Sequence, residues 1–303
     1  TSYGAAKVVT GSCHLLAIEH GPRILIDCGM FQGPEEDRNY GAFGFDPSEI
    51  DYILITHAHL DHVGRIPKLV KEGFHGVVYA TEATRDISEI ILLDSAKIMK
   101  EDFKTNFKKA QRRGKEGEVR EPLYDEDDVE AAFDLVWHHP EYDNSVLIQE
   151  GLKVTFRDAG HILGASFIEI TYKEDGVEQT IVFSGDIGND NDLVMENLEK
   201  CKHANYLYVE STYGDRNHKD IEASITEFKR VIIDTLHDWG NVLIPSFAVE
   251  RTQELLCILK EMHDRKELPQ CKIFLDSPMA TRATEVYNNH SDLLSQQCQD
   301  YKK

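Results

Sequence analysis

Several features that would place this chain in a membrane or outside the cell are absent. No apolar run approaches the ~20 residues that a membrane-spanning helix needs, and the N-terminus has neither the charged nor the apolar region of a signal peptide. The six cysteines are scattered and form no Cys-x-x-Cys pair. We interpret them as small apolar side chains in a reducing cytoplasm and expect no disulfide framework. These absences predict a cytoplasmic protein without a membrane partner.

Positive charge is also scarce. The chain has 33 Lys and Arg against 54 Asp and Glu, a formal net charge of -21, which opposes non-specific binding of nucleic acid. The exception is a stretch over residues 97–120 with nine basic side chains. Its first four, Lys97, Lys100, Lys104 and Lys108, recur at helical spacing and so share a face. This pattern indicates either a solvated helix face or a local patch that attracts phosphate.

The order of apolar runs predicts two units within 303 residues. In the first, strands and hairpins surround two helices. We predict strands at 7–9, 13–18, 23–26, 52–55, 76–80, 152–156, 167–172 and 180–183, and helices at 82 to about 109 and 125–136. After Glu210, predicted helices at 221–239 and 247–263 alternate with strands at 241–245 and 272–275, and another helix begins at Pro278. This alternation is typical of a parallel α/β unit.

The segment Thr56-His57-Ala58-His59-Leu60-Asp61-His62 carries most of the chemical information. It directly follows the apolar run 52–55, and it holds three histidines and one aspartate within six positions. Imidazole and carboxylate groups together suit zinc. Core packing does not require three histidines at this spacing. The segment therefore predicts a metal site in preference to a solvated polar loop.

Four further predicted strands end beside functional side chains. They deliver Asp27, His161, Asp186 and Glu210, each near glycine or another small residue. A single acid in such a place is common, because strands end in turns and aspartate favours turns. Together with the histidine segment, the four indicate that one edge of the sheets gathers ligands from distant parts of the sequence.

With these segments the chain resembles the metallo-β-lactamase superfamily, in its β-CASP nuclease branch. The histidine segment marks the superfamily, and the segments 210–216, 244–251 and 275–280 mark the branch. The similarity is greatest to bacterial and archaeal ribonucleases related to the endonuclease that cleaves pre-mRNA at the polyadenylation site. It implies an α/β fold, an αββα sandwich over residues 1–207. It also implies an inserted α/β β-CASP domain from residue 208, incomplete at residue 303.

The resemblance also implies roles for individual residues. His57, His59 and His161 would hold one zinc ion, and Asp61 and His62 the second, with Asp186 as the bridging carboxylate. Asp27 would orient a ligand, and Glu210 would orient a histidine that acts as general acid. The implied activity is a ribonuclease, an endonuclease in our expectation, that hydrolyses single-stranded RNA with a hydroxide bridging two Zn²⁺ ions. DNA is a further candidate substrate, and a homodimer a further expectation.

Two alternatives stay open at this point. One is a small-molecule metallo-hydrolase of the thioesterase or lactamase type, against which the α/β segment after Glu210 argues. The other is an inactive RNA-binding scaffold, although members of that kind lose their metal ligands, and every ligand expected in this span is present here. Turnover of simple thioesters or lactams, and the zinc content, distinguish them.

The chain departs from the family pattern in one respect. The family supplies a last zinc-ligand histidine and a general-acid histidine after the inserted domain, and no residue after Glu210 suits either role. The histidines present there lie in predicted helices or at their ends: His218, His237, His263 and His290. We expect either the first part of a longer protein or a variant with an incomplete second site.

Contacts to the substrate are predicted in the inserted domain. Ser246 and Ser277 follow predicted strands and precede predicted helices. Helix N-termini at these points could receive phosphates, and the alternative is plain N-capping, which we favour for Ser277 because Pro278 follows it. Arg251 and Arg282 are the candidate cationic contacts to phosphate.

Overall fold

The computed structural model describes residues 1–174, 176–189, 192–216, 221–296 and 298–299. Its first sheet has six strands in chain order. They are β1 Ser2–Gly4, β2 Cys13–Ala17, β3 Arg23–Ile26, β4 Tyr52–Leu54, β5 Val77–Tyr79 and β6 Trp137–His138. Strands β1 to β3 pair antiparallel, whereas β3 to β6 run parallel. The carboxyl ends of β3, β4 and β5 therefore lie at one edge.

The second sheet has five strands in the order β11-β10-β9-β8-β7. Their bounds are β7 Val146–Gln149, β8 Leu152–Asp158, β9 Ser166–Glu174, β10 Val177–Phe183 and β11 Tyr206–Tyr208. Pairing is antiparallel from β7 to β10, and β11 joins β10 in parallel. The hairpin of β9 and β10 confirms the strands predicted at 167–172 and 180–183.

The two sheets face each other across one core. Alternate residues of the first sheet, such as Ile24 and Ile26, contact Phe156 and Ile168 of the second, and all four are fully buried. The intervening Leu25 points to the opposite face, where it joins the cluster under the helices. Successive side chains of a strand point to opposite faces of the sheet. Because both faces of the first sheet are covered, its short strands are continuous apolar runs in the sequence.

Seven helices complete the described residues. They are α1 Leu60–Val63, α2 Ile66–Lys71, α3 Glu82–Gln111, α4 Glu126–Phe133, α5 Ile221–His237, α6 Arg251–Asp264 and α7 Pro278–Asn289. Short 3₁₀ turns lie at Gly33–Tyr40, Pro47–Glu49, Glu116–Glu118 and Ser291–Leu293. Asp125 caps α4: its side chain accepts a hydrogen bond from the backbone nitrogen of Asp128, and the Asp128 side chain accepts one from the backbone nitrogen of Asp125. None of the helices seen here is long and apolar enough to cross a membrane.

Three strand predictions are wrong. Residues 241–245 and 272–275 are not strands in the structure. They have no sheet partner among the described residues, and their apolar side chains are exposed, Leu243 by 93% and Phe274 by 82%. An apolar run becomes a strand only when another strand accepts its hydrogen bonds. Residues 7–9 lie in a loop in which Lys7 has a φ of 65°, and the first strand is instead Ser2–Gly4.

Two further expectations need correction. The helix predicted from Phe247 begins at Arg251, because Glu250 has a φ of 71°, which breaks helical continuity before it. Cys257 of α6 and Cys298 form a disulfide, whereas we expected none. Their separation of 41 residues gave no sign of pairing in the sequence.

Candidate metal centre

The loops that follow three strands meet at one place, at the ends of the two sheets. His57 comes three residues after β4, His161 three residues after β8, and Asp186 three residues after β10. His59 lies in the same loop as His57 and immediately precedes α1. Candidate ligand atoms of these four residues all lie within 4.8 Å of one another. The structure thus brings together four of the six metal ligands predicted from the sequence.

The imidazoles face each other across this cluster. His59 Nδ1 lies 3.1 Å from His57 Nε2 and 3.2 Å from His161 Nε2. The Oδ2 atom of Asp186 lies 3.7 Å from both of those Nε2 atoms. Three nitrogen atoms and one carboxylate oxygen converge, which is a donor set that zinc accepts.

Asp186 directs its two oxygen atoms to different partners. While Oδ2 faces His57 and His161, Oδ1 lies 3.2 Å from His62 Nε2. A carboxylate that bridges two metal ions needs this division, because each oxygen must face a different site. The geometry is consistent with the bridging role that the resemblance implies for Asp186.

Asp27 fixes the orientation of His62. Its Oδ2 lies 2.7 Å from His62 Nδ1, which leaves Nε2 directed towards Asp186. Thr56 donates to both oxygen atoms of Asp27, from its backbone nitrogen and its hydroxyl, and Ser12 donates a further hydrogen bond. Asp27 is held at a φ of 58°, a conformation that a non-glycine residue adopts only when its surroundings impose it. Carboxylates behind histidine ligands commonly act in this way.

Sequence reasoning gave no role to Ser12 or Thr56. Thr56 lay inside the histidine segment, so its position next to His57 was the available signal. Ser12 lies in a distant loop, and nothing in the sequence connects it with Asp27.

Protonation states in the cluster suit metal binding. Burial, reinforced by the neighbouring histidines, lowers the pKa of His57, and burial lowers the pKa of His59 and of His161 to about 4. Burial alone would raise the pKa of Asp186, but the hydrogen bond to His62 and the surrounding histidines lower it to about 2. Neutral imidazole and ionised carboxylate are the forms that coordinate metals.

His62 differs from the other three histidines. Burial opposes its protonation, but the carboxylates of Asp27 and Asp186 outweigh burial and raise its pKa well above the usual value. A proton on His62 therefore supplies the positive charge that these two carboxylates require. A metal ion beside His62 would supply this positive charge instead, and the surrounding imidazole and carboxylate groups are suitable ligands.

Asp61 lies beside this group but outside the cluster of four. Its side chain is half-buried, and burial raises its pKa. Gly29 packs against its backbone so closely that a Cβ at Gly29 would lie 1.5 Å from the Asp61 carbonyl oxygen. The loop after β3 is thereby pressed onto the start of α1, which carries Asp61 and His62.

A second close approach joins the loops that carry His161 and Asp186. A Cβ at Gly188 would lie 1.6 Å from the carbonyl oxygen of Gly160, and the Gly188 backbone nitrogen donates to Ala159 O at 2.9 Å. Only glycine permits this contact, and it sets the spacing of the two ligands.

Glu210 supports the same loop. Its Oε1 accepts a hydrogen bond of 2.7 Å from the backbone nitrogen of Ile187, directly after Asp186. Its own backbone nitrogen donates to Ser184 Oγ at 3.0 Å. The structure therefore places Glu210 behind Asp186.

A cavity of about 440 Å³ opens next to the cluster. Its lining includes Asp27, His62, Asp186 and Glu210, together with the loop that carries Lys7. Lys7 is exposed and is the lysine of this lining.

The predicted substrate contacts lie elsewhere. Ser246 and Ser277 line a different cavity, of about 1160 Å³, between the unpaired segments 241–245 and 272–275. Ser277 Oγ accepts from the Ala280 nitrogen and caps α7, as the capping interpretation predicted. Ser246 is 2.9 Å from the hydroxyl of Thr252, Arg251 pairs with Glu254, and Arg282 is half-buried on α7. The structure brings none of these four into the lining of the cavity beside the metal cluster.

The later histidines do not join the cluster in the described part of the chain. His290 lies 3.0 Å from Asp86 of α3, His263 lies beside Asp264, and His237 is exposed at the end of α5. His218 lies outside the described residues.

The fold and the cluster define an α/β protein with a histidine–carboxylate metal centre at the ends of two facing sheets. The family model of the metallo-beta-lactamase superfamily matches residues 6–236. The chain belongs to this superfamily. The model of the Beta-Casp domain matches residues 252–303, so the recognition of the β-CASP branch from sequence motifs is confirmed.

Curated relatives extend this result. The chain is 43% identical over 285 residues to "Ribonuclease TTHA0252" of Thermus thermophilus, covering 94% of this chain and 59% of that protein. It is 31% identical to "Transcription termination factor FttA" of Methanosarcina mazei, with 97% and 44% covered. It is 30% identical to "Endoribonuclease ysh1" of Schizosaccharomyces pombe, with 96% and 36% covered. The chain thus spans between about a third and three fifths of the length of these relatives.

Proposed function

We propose that the protein is a zinc-dependent ribonuclease that hydrolyses phosphodiester bonds of single-stranded RNA. The observation that carries the proposal is the cluster of His57, His59, His161 and Asp186, whose ligand atoms lie within 4.8 Å of one another. Relatives named ribonuclease and endoribonuclease, and the match to the Beta-Casp domain, support RNA as the substrate. The proposed cofactor is two Zn²⁺ per complete active site.

The residues divide into two proposed sites. His57, His59 and His161 would hold one zinc, Asp61 and His62 the other, and Asp186 would belong to both. Two such ions supply positive charge for the phosphate and a nucleophile at neutral pH. The division of the Asp186 oxygens between two sets of histidines supports this assignment.

The chain's own residues do the rest of the work. Asp27 orients His62, and Thr56 and Ser12 hold Asp27 in turn. Glu210 holds the backbone after Asp186. Lys7 would neutralise part of the charge of a phosphodiester that enters the cavity beside the cluster. Positioning of this kind matters because small displacements at a reacting centre are costly in rate.

We also propose that residues 1–207 form the metal-binding domain and that residues from 208 belong to the β-CASP domain. The centre, Asp27 to Asp186, lies entirely within the first span. Ser246, Arg251, Ser277 and Arg282 remain the proposed contacts of the second span to RNA. We propose DNA as a further substrate and a homodimer as the assembly, which cleavage of a labelled DNA strand and sedimentation of the protein test.

The first experiment is cleavage of an end-labelled single-stranded RNA by the complete gene product loaded with zinc. Asp61→Ala should abolish cleavage, while Asp264→Ala, which changes an exposed aspartate at the end of α6, should leave it unchanged. The product ladder distinguishes internal from terminal cuts. Rapid turnover of thioesters or lactams by an enzyme that does not cut RNA would replace the proposal with a small-molecule hydrolase. Tight RNA binding without cleavage and with one zinc or less per full-length chain would favour a scaffold.

A further inference from the structure

The second half of helix α3 leaves the protein core. The fully buried residues of α3 all lie between Ala83 and Ala96, and from Lys97 to Gln111 no side chain is fully buried. The helix nevertheless continues without a break over 30 residues. About half of its length therefore presents its surface to solvent.

The exposed half of α3 and the loop that follows it are positively charged, unlike the rest of the chain. Residues 97–120 carry nine basic and four acidic side chains, a net +5, so the rest of the chain carries -26. Lys100, Lys115 and Arg120 pair with Glu126, Glu118 and Asp37. The other six cations are exposed and have no ion pair among the described residues: Lys97, Lys104, Lys108, Lys109, Arg112 and Arg113. We call these six the distal basic surface.

Two aromatic rings accompany the distal basic surface. Phe103 and Phe107 lie one turn apart with ring centroids 5.7 Å from each other, and Phe107 is 37% exposed. At helical spacing they flank the face that carries Lys104 and Lys108. Surfaces that bind single-stranded nucleic acid without sequence preference combine backbone-tracking cations with aromatic platforms for bases. Phe107, the exposed ring of the two, is therefore available to stack on a base.

The N-terminal end of α3 is hydrogen-bonded to the loop that carries His161. The hydroxyls of Thr81 and Thr84 each donate a 2.8 Å hydrogen bond to the carbonyl oxygen of Gly164, three residues after His161. A helix rises about 1.5 Å per residue, so the distal basic surface begins about 20 Å from this anchor and ends about 45 Å from it. The surface thus lies on the same unbroken helix as this anchor but far outside the cavity beside the metal centre.

We propose that the distal basic surface binds the phosphate backbone of RNA that extends away from the metal centre. This inference rests on the proposed function, since it adds a second RNA contact to that activity. Stacked nucleotides rise about 3.4 Å each, so a strand of about 5 nucleotides stays near the metal centre, whereas one of about 30 reaches the surface. The surface therefore favours long RNA over short RNA.

The test uses two matched variants of the complete zinc-loaded protein. One changes four surface lysines to glutamine, Lys97→Gln, Lys104→Gln, Lys108→Gln and Lys109→Gln. The other changes four exposed lysines elsewhere by the same chemistry, Lys153→Gln, Lys173→Gln, Lys202→Gln and Lys266→Gln, so both have equal net charge. Glutamine retains helix propensity. The readouts are kcat/KM for RNAs of about 30 and about 5 nucleotides, and anisotropy binding of the long RNA over a range of salt.

We expect the surface variant to lose about tenfold or more in kcat/KM and affinity on the long RNA and nothing on the short one. The salt slope of long-RNA binding should fall by up to about 3, since each single-strand phosphate contact contributes about 0.7. The control variant should match the wild type in the difference between long and short RNA. Equal losses in both variants would reduce the effect to net charge and overturn the proposal.

Failure of the two proposals can be told apart. If the wild type cuts neither RNA, the ribonuclease proposal fails, and the anisotropy titration still tests the surface. If the wild type cuts RNA and the surface variant matches it on both lengths, only the surface proposal fails. In that case an acidic protein partner becomes the better occupant of this face.

Discussion

Asp27 shows how much one side chain at this centre depends on its neighbours. It accepts hydrogen bonds from Thr56 and Ser12 and holds the ring of His62 at 2.7 Å. Because its backbone is in the left-handed region, those bonds also retain the conformation of the loop. Replacement of Asp27 should therefore change metal binding indirectly, through the orientation of His62.

Asp27→Asn should weaken zinc binding by about 10- to 100-fold, the usual effect of losing a partner behind a metal ligand. The amide keeps the size of the side chain but removes the negative charge that orients His62. Zinc affinity measured by competition with a chelator tests this expectation. Asp264→Asn, at an exposed position, is the control and should not change the affinity. Equal affinities of the two variants would show that Asp27 does not act on the metal.

The buried carboxyl of Glu250, which is not part of the metal cluster, should make the stability of the protein depend on pH. Burial raises the pKa of its carboxyl from 4.5 to about 7, and Asp192 and Glu254 add to the rise while Arg251 opposes it. The folded state holds its proton longer than the unfolded state, so stability falls as the pH rises from 4.5 through about 7.

Glu250→Gln should therefore stabilise the protein by about 1–3 kcal/mol near pH 8. The gain should be much smaller near pH 5, where the folded carboxyl is already neutral. Urea unfolding at the two pH values measures the difference. A gain that is the same at both would mean that packing, not ionisation, distinguishes the variant.

At the scale of elements, the ends of strands were readable from the sequence. The ends of β3, β4, β8 and β10 lie at or close to the predicted positions. At each of them a buried apolar run is followed within a few residues by a histidine or an aspartate of the site. The runs 241–245 and 272–275 carried the same signal but are unpaired in the structure. An apolar run tells that a segment seeks burial, but not which other segment accepts its hydrogen bonds. The roles of Ser12 and the disulfide of Cys257 were unreadable for a similar reason, since both depend on a partner far along the chain.

The contact between the loops after β8 and β10 gives a prediction at this scale. Gly188→Ala should cost about 1–3 kcal/mol of stability and weaken zinc binding, because the added methyl meets Gly160 O at 1.6 Å. The loops must separate, and with them His161 and Asp186. Gly117→Ala is the matched control, since nothing lies within 4 Å of a Cβ there. Denaturant unfolding and zinc titration of both variants provide the measurement, and similar behaviour of the two would refute the role of the contact.

Considered as a whole, the molecule places its metal ligands where its two sheets meet. His57 and His59 follow the first sheet, and His161 and Asp186 follow the second. A metal bound by all four therefore ties the sheets to each other in addition to serving chemistry.

Removal of metal should consequently destabilise the whole sandwich. Zinc at about a thousand times its Kd contributes about 4 kcal/mol to the folded state, which corresponds to a rise in Tm of roughly 10 °C. Thermal unfolding with zinc and with a chelator measures the shift. Asp186→Ala should show a much smaller zinc-dependent shift. Identical shifts in wild type and variant would place the stabilising ion elsewhere.

The positions of the ligands along the chain also set an order of events during synthesis. Asp27 and the histidine segment leave the ribosome before the other ligands, because His161 and Asp186 lie more than a hundred residues after His57. Domains form from the N-terminus as the chain emerges, yet the four-ligand cluster exists only when both sheets have paired. Until His161 has been synthesised, His57 and His59 are the only members of the four-ligand cluster on the chain. The four-ligand centre can therefore be filled only after Asp186 has been synthesised and both sheets have paired.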